Sequence, residues 1–178
     1  MGSRCRRAPT AAGTIAGTAP RSLLLEHFGS NESAGNDDRA WPIRVLSAKA
    51  SRAAYYREMR EAVFCLCPSG FAQWSQRFYQ AAALGCLPVT FWDPRWPNAM
   101  PFEREIDYAS FSLNVPPAEI PQLRARLEAV ARDPERLRRM RLALVRHRPA
   151  FDWADLGDEG PLHRTLRELA ATRREIFL

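Results

Sequence analysis

Lysine is almost absent from this chain of 178 residues. Lys49 stands alone, and the other 25 of its 26 Lys and Arg residues are arginine. Set against 20 Asp and Glu, these give a net charge of +6 and a pI of about 9.7. Arginine in place of lysine, beside many alanines, reads as bias in the coding DNA. The basic balance alone therefore does not call for nucleic acid, which needs the cations gathered on one element; the nearest approach is the stretch 132–148. Histidine is scarce too: His27, His147 and His163 are scattered. No CxxC pair or HxxxH spacing occurs, which excludes the usual metal sites, and no cofactor is expected. No run nears the roughly 18 apolar residues of a membrane span. The first 20 residues lack the apolar stretch of a secretory signal and read as an unstructured start. Internal repeats are absent.

What is present is a globular composition, 46% hydrophobic and 26% charged, which excludes wholesale disorder. The length suits one domain. A chain of this size buries about 70% of its unfolded surface and needs no disulfide. Its four cysteines are Cys5, Cys65, Cys67 and Cys86. Cys65 and Cys67 point to opposite faces if they lie on a strand. They read as small buried apolar residues, and the redox compartment stays open.

Residues 1–40 read as a loosely ordered lead-in holding one short apolar segment of undefined type, RSLLLEHF at 21–28. The polar stretch 29–40 reads as a loop, with Asp37 and Asp38 as solvated charge. WPIRVLS, 41–47, reads as a short strand. Ser51 can cap a helix carrying Ala54, Tyr55, Met59 and Ala62 at near-helical spacing. VFCLC (63–67) is a strand-length apolar run. Ser75 can cap a second helix that stops at Gly85, and CLPVTF (86–91) is a second buried strand. Strand, turn, helix, strand is a βαβ unit, and continuously apolar strands suit a parallel sheet covered on both faces. FSLNV (111–115) reads as a further strand. An amphipathic helix follows with Ile120, Leu123, Leu127 and Val130. The next helix starts at Pro134 with Leu137, Met140 and Leu144 on one face, and a last helix covers about 160–176. The expected fold class is α/β, a Rossmann-like parallel sheet with helices on both faces. Its boundaries are 41–155 for the domain and 156–178 for the C-terminal helix.

Ligands of parallel α/β sheets bind beyond the carboxyl ends of the strands, which here means residues 68–80. Gly70 lets backbone approach a ligand. The helix beginning near Ser75 offers free N–H groups to an anion. Arg77 lies in its first turn, where the helix dipole disfavours a cation; a phosphate between the two would explain it. Gln80, one turn on, can reach a sugar hydroxyl. Phe71, Trp74, Phe91, Trp92 and Trp96 flank this end of the sheet, with Phe91 read as core. Glu103 and Asp107 follow the Trp-rich loop and read as surface carboxylates.

The segment REMREAVFCLCPSGFAQWSQRFYQAAALGCLPV, 57–89, resembles the donor-domain signature of the exostosin family of inverting glycosyltransferases, which have the GT-B fold. The family pattern runs F-C-L, P-x-G, S-x-R, then G-C-x-P-V. Downstream, PFEREIDYASFSLNVPPAEIPQL and RPAFDW are similar to later blocks, so the match covers about 50–153. The resemblance implies one half of a GT-B enzyme, binding a nucleotide sugar of the UDP type, with a glycan or glycoprotein as acceptor, a Golgi location and no bound metal. It implies that Arg77 contacts the diphosphate, that Gly70 lets the turn pass the donor, and that Ser75 opens the anion-binding helix. Gln80 stands where many members carry a Glu bonded to the ribose hydroxyls, and Ser69 where a basic residue is common. A GT-B enzyme has two such domains, and about one is expected here, so no catalytic base is named. A donor-binding module without transferase activity and a basic RNA-binding protein using 132–148 are the alternative readings.

Overall fold

The structure is a computed structural model and describes residues 19–29, 43, 45, 51–69, 75–93 and 100–177. Helix α1 spans Ala19–Phe28 and α2 spans Arg52–Glu61. Strand β1, Phe64–Cys67, leads through α3, Gln76–Ala83, into β2, Leu87–Thr90, and later β3, Leu113–Asn114. Helices α4 (Leu123–Ala131), α5 (Pro134–His147) and α6 (Pro161–Phe177) complete the α/β fold. The sheet is parallel in the order β1-β2-β3. Every residue of the central strand β2 is buried, as its continuous apolar run requires.

Local signals place most of these elements. The Ser51 hydroxyl accepts from the Ala54 N–H and starts α2, and Asp133 does the same for Arg136 ahead of Pro134 in α5. Helix α3 ends in a Schellman turn: the Cys86 N–H donates to Ala81 and the Gly85 N–H to Ala82. Gly85 sits at φ +77°, a conformation that costs glycine least. The face of α5 that carries Met140 and Leu144 enters the core, and Arg136, Arg138, Arg139, Arg141 and Arg146 stay exposed. Phe78 of α3 and Phe111 centre an aromatic cluster with Tyr108 and Phe151, ring centres 5.6–6.4 Å apart.

Several expectations are corrected. Within the stretch read as a loose lead-in, Ala19–Phe28 is a helix with Leu24 and Phe28 buried, packed on the 3-10 turn Pro117–Gln122. Its leucines gain a partner nearly a hundred residues away, which no local window reveals. Of the strand expected at 41–47, only Ile43 and Val45 are described; neither is in a strand, though Val45 is core. The strand at 111–115 shortens to two residues because Phe111 closes a 3-10 turn and Pro116 follows. The amphipathic helix expected to carry Ile120 to Val130 opens as a 3-10 turn, Pro117–Gln122, since Pro121 lacks the N–H an α-helix would use there.

The cysteine reading also changes. Cys65 and Cys86 form a disulfide, and both are fully buried. Cys86 lies just before β2, diagonal to Cys65 across the pair Phe64–Leu87, and the two Cα atoms stand 5.8 Å apart, within disulfide reach. Cys67 remains a free, buried thiol.

Helix α6 is tied down by charge. Arg167 grips Glu105 with two parallel bonds, Nε to Oε1 at 3.0 Å and Nη2 to Oε2 at 3.1 Å. Buried Arg164 bonds Glu105 and Glu159. These bonds, that to Arg167 foremost, hold the Glu105 carboxyl below the usual carboxylate range. A carboxyl more acidic folded than unfolded stabilises the fold above its unfolded pKa, and that contribution fades as pH falls through the folded value. Backbone amides of α6 are therefore expected to exchange faster, relative to the intrinsic rate at each pH, as the pH drops below about 4, measured by hydrogen exchange. Glu105→Gln should show the faster exchange already at neutral pH; an unchanged α6 in that variant would remove Glu105 as its tether.

Candidate functional site

The paired register lines Cys67, Thr90 and Asn114 across one edge, the carboxyl end of the sheet. Helix α3 begins at this same end, since it runs back to the start of β2 beside the start of β1. Two of its residues are held toward the edge by Tyr55 of α2. The Arg77 guanidinium lies over the Tyr55 ring, 5.6 Å from its centre, and its Nη1 donates to the Leu66 carbonyl of β1 at 3.5 Å. The Tyr55 hydroxyl donates to Gln80 Oε1 at 3.0 Å. One aromatic side chain thus orients both the cation and the amide that the sequence singles out.

Below Arg77 lies Cys67, whose Sγ donates to the Cys65 carbonyl. Burial pushes its thiol up to about 12, against a smaller opposing pull from Arg77. It stays a neutral thiol, so no thiolate is available to act as nucleophile or to cancel the arginine charge. Ser69, in the turn after β1, is buried, and its carbonyl accepts from Arg21 Nε at 2.9 Å. Helix α1 therefore pins the chain just beyond β1. At the neighbouring strand ends Asn114 Oδ1 accepts from the Trp92 N–H at 2.9 Å, and Asn114 Nδ2 donates to the Trp92 carbonyl at 3.2 Å. Buried Thr90 donates to the same Oδ1. This clamp fixes the start of the loop beyond β2.

Of the residues expected at the site, Ser75, Arg77 and Gln80 are described and share the first turns of α3. Ser75 occupies the N-cap position, yet its side chain makes no capping bond. Gly70, Phe71, Trp74 and Trp96 lie outside the described residues, as do Cys5, Asp37 and Asp38. Phe91 is core, while Trp92 is half-buried. Glu103 and Asp107 have local duties: Glu103 accepts from the Met100 N–H, and Asp107 caps the turn Tyr108–Ser110. His147 stacks on Phe111, and burial above all lowers its pKa. Among the described residues no three His, Cys, Asp or Glu side chains gather as metal ligands, and no helix is long and apolar enough to cross a membrane.

Tyr55, Arg21 and Asn114 are the positions that sequence reasoning missed as parts of this site. Tyr55 reads as one of the apolar residues of its helix, and its phenol carries no sign of a partner 25 residues on.

The arrangement can hold an anion at the start of α3, where a guanidinium fixed on the Tyr55 ring lies in the first helical turn, and a hydroxylated group one turn on. The family model described as the exostosin GT47 domain matches residues 7–130. It begins earlier than the resemblance in the sequence indicates and stops before α5. A probable glucuronosyltransferase of Oryza sativa subsp. japonica is 37% identical over 161 residues, covering 76% of this chain and 37% of the relative. A probable glucuronoxylan glucuronosyltransferase of Arabidopsis thaliana is 40% identical over 111 residues, covering 62% and 21%. A probable beta-1,4-xylosyltransferase of Arabidopsis thaliana is 37% identical over 124 residues, covering 58% and 28%. The chain thus spans well under half the length of the curated relatives it matches.

Proposed function

Since this chain belongs to the exostosin GT47 family, we propose that it is the nucleotide-sugar-binding part of an inverting glycosyltransferase, using a UDP-sugar. The observation that carries this reading is Arg77, locked on Tyr55 in the first turn of α3 at the carboxyl edge of a parallel sheet. In transfer, an acceptor hydroxyl of a glycan or glycoprotein attacks the anomeric carbon. The bond to the diphosphate breaks on the opposite face, inverting the configuration. Negative charge grows on the departing diphosphate, where Arg77 and the N–H groups opening α3 await it; donors placed in advance where charge develops are what lowers such a barrier. Gly70 lets the turn pass close to the donor. The group that removes the acceptor proton is not assigned.

Gln80 faces the ribose in this reading. The Tyr55 hydroxyl already occupies one acceptor site of its Oε1, which leaves its NH2 group and one lone pair for two sugar hydroxyls. A carboxylate would offer more acceptors and charged bonds. Gln80→Glu is therefore expected to tighten UDP binding about fivefold, roughly 1 kcal/mol from the difference between charged and neutral hydrogen bonds. An unchanged affinity would place Gln80 away from the ribose.

The relatives are named for glucuronosyl and xylosyl transfer, so UDP-glucuronate and UDP-xylose are the donors to compare first. A Golgi location belongs to the same proposal, and the Cys65–Cys86 disulfide supports it, since disulfides persist in oxidising compartments. The test is calorimetric titration of UDP and the two UDP-sugars into the folded chain. Saturable binding that UMP reproduces only weakly is the expected result. No binding of any of the three by a folded chain overturns the assignment. Transfer assays on the same material separate an enzyme from a donor-binding module without turnover.

A further inference from the structure

Helix α6 is amphipathic the reverse way round from a helix that covers a core. Its inward side is charged: Arg164, 5% exposed, and Arg167 bind Glu105 and Glu159. Its outward side carries Leu162, Leu166 and Leu169, spaced so that they form one stripe, and they are 47%, 54% and 62% exposed. The segment leading into the helix adds Trp153 and Leu156, both over 70% exposed. Charge is divided along the axis as well. Residues 152–159 carry Asp152, Asp155, Asp158 and Glu159 and no cation, whereas exposed Arg173 lies toward the other end of the helix.

We propose that α6 pairs antiparallel with the α6 of a second copy of this chain, forming a two-fold dimer. An antiparallel pair is the arrangement in which one surface complements itself. With the two-fold axis between Thr165 and Leu166, Leu162 meets the partner's Leu169, Leu166 packs across the axis, and Arg173 comes level with the acidic turn that precedes the partner's α6 and holds Asp158. Apolar residues then meet at the centre while opposite charges meet at both ends, which sets the register. A parallel pair would oppose like charges at each end. The ion pairs to Glu105 hold the helix with its leucines already turned outward, so little ordering remains to be done on association.

Sedimentation of the full chain across the micromolar range tests this, in low and high salt. The expected mass at high concentration is about twice 20.2 kDa. Leu166→Glu should leave the monomer alone. Arg173→Asp and Asp158→Arg should each weaken the dimer about tenfold or more at low salt, and the two changes in one chain should restore it, since each new charge meets its opposite across the axis. Circular dichroism establishes that each variant is folded. A wild-type monomer throughout, as when a different protein segment covers the stripe, overturns the proposal. So does a dimer indifferent to Leu166→Glu, or a doubly reversed chain that stays as weak as the single variants.

Discussion

Replacing Arg77 by alanine is expected to weaken UDP binding at least about tenfold while the chain stays folded. A hydrogen bond between two charged groups contributes about 1.5–3 kcal/mol, and the diphosphate loses that contact altogether. The fold should barely respond. Arg77 is half-buried, and its contacts within the chain are a long bond to the Leu66 carbonyl and the Tyr55 ring among others. Losses of this kind cost little beside burial of a core side chain. Arg77→Lys should recover only part of the affinity, because an ammonium keeps the charge and loses the fork. Titration calorimetry paired with a thermal melt checks both halves. Equal UDP affinity in wild type and Arg77→Ala, at equal Tm, would place the diphosphate elsewhere.

The second large effect concerns the covalent ring. Cys65 and Cys86 are 21 residues apart, and the ring they close contains all of α3, and with it Ser75, Arg77 and Gln80. Opening it through the paired change Cys65→Ala and Cys86→Ala should cost about 3 kcal/mol, the loop-closure entropy returned to the unfolded chain. Against a usual total of about 5–15 kcal/mol that is a large fraction. It corresponds to a fall in Tm of roughly 6–12 °C at about 2–4 °C per kcal/mol for a domain of this size. Urea unfolding supplies the check. The variant should show a lower midpoint and a steeper slope, since its unfolded chain exposes more surface. If oxidised wild type and the double variant unfold at one midpoint, the bond contributes nothing to stability.

The two expected results differ in how visible they were beforehand. Arg77 stands out on sequence grounds, as a cation in the first turn of a helix and as part of an S-x-R block. Helix α2 is legible from Ser51, and the end of α3 from Gly85, because a cap or a left-handed residue acts on groups within a turn of itself. Strands β1 and β2 are legible because a strand buried on both faces must be apolar throughout. The core face of α5 follows from 3.6-residue spacing. Gly70 and the aromatics Phe71, Trp74 and Trp96 remain sequence-level candidates. The two-residue β3 and the 3-10 opening before α4 were harder, because proline and a neighbouring turn shorten elements that the apolar pattern alone would extend.

By itself, then, the sequence determined the strand–helix–strand order of β1, α3 and β2, the Ser51 cap of α2, the Gly85 end of α3, the family, and the choice of Arg77 as the candidate cation. Each of these depends on neighbours a few residues apart or on a linear pattern. Tertiary structure alone decided that Cys65 bonds Cys86, that Tyr55 holds Gln80, that Arg21 pins Ser69, and that Glu105 anchors α6 through Arg164 and Arg167. These partners lie between 21 and 62 residues apart. A side chain carries its hydrogen-bonding capacity in its chemistry, but the partner that fulfils it is chosen by where the packed sheet and helices bring the chain back upon itself.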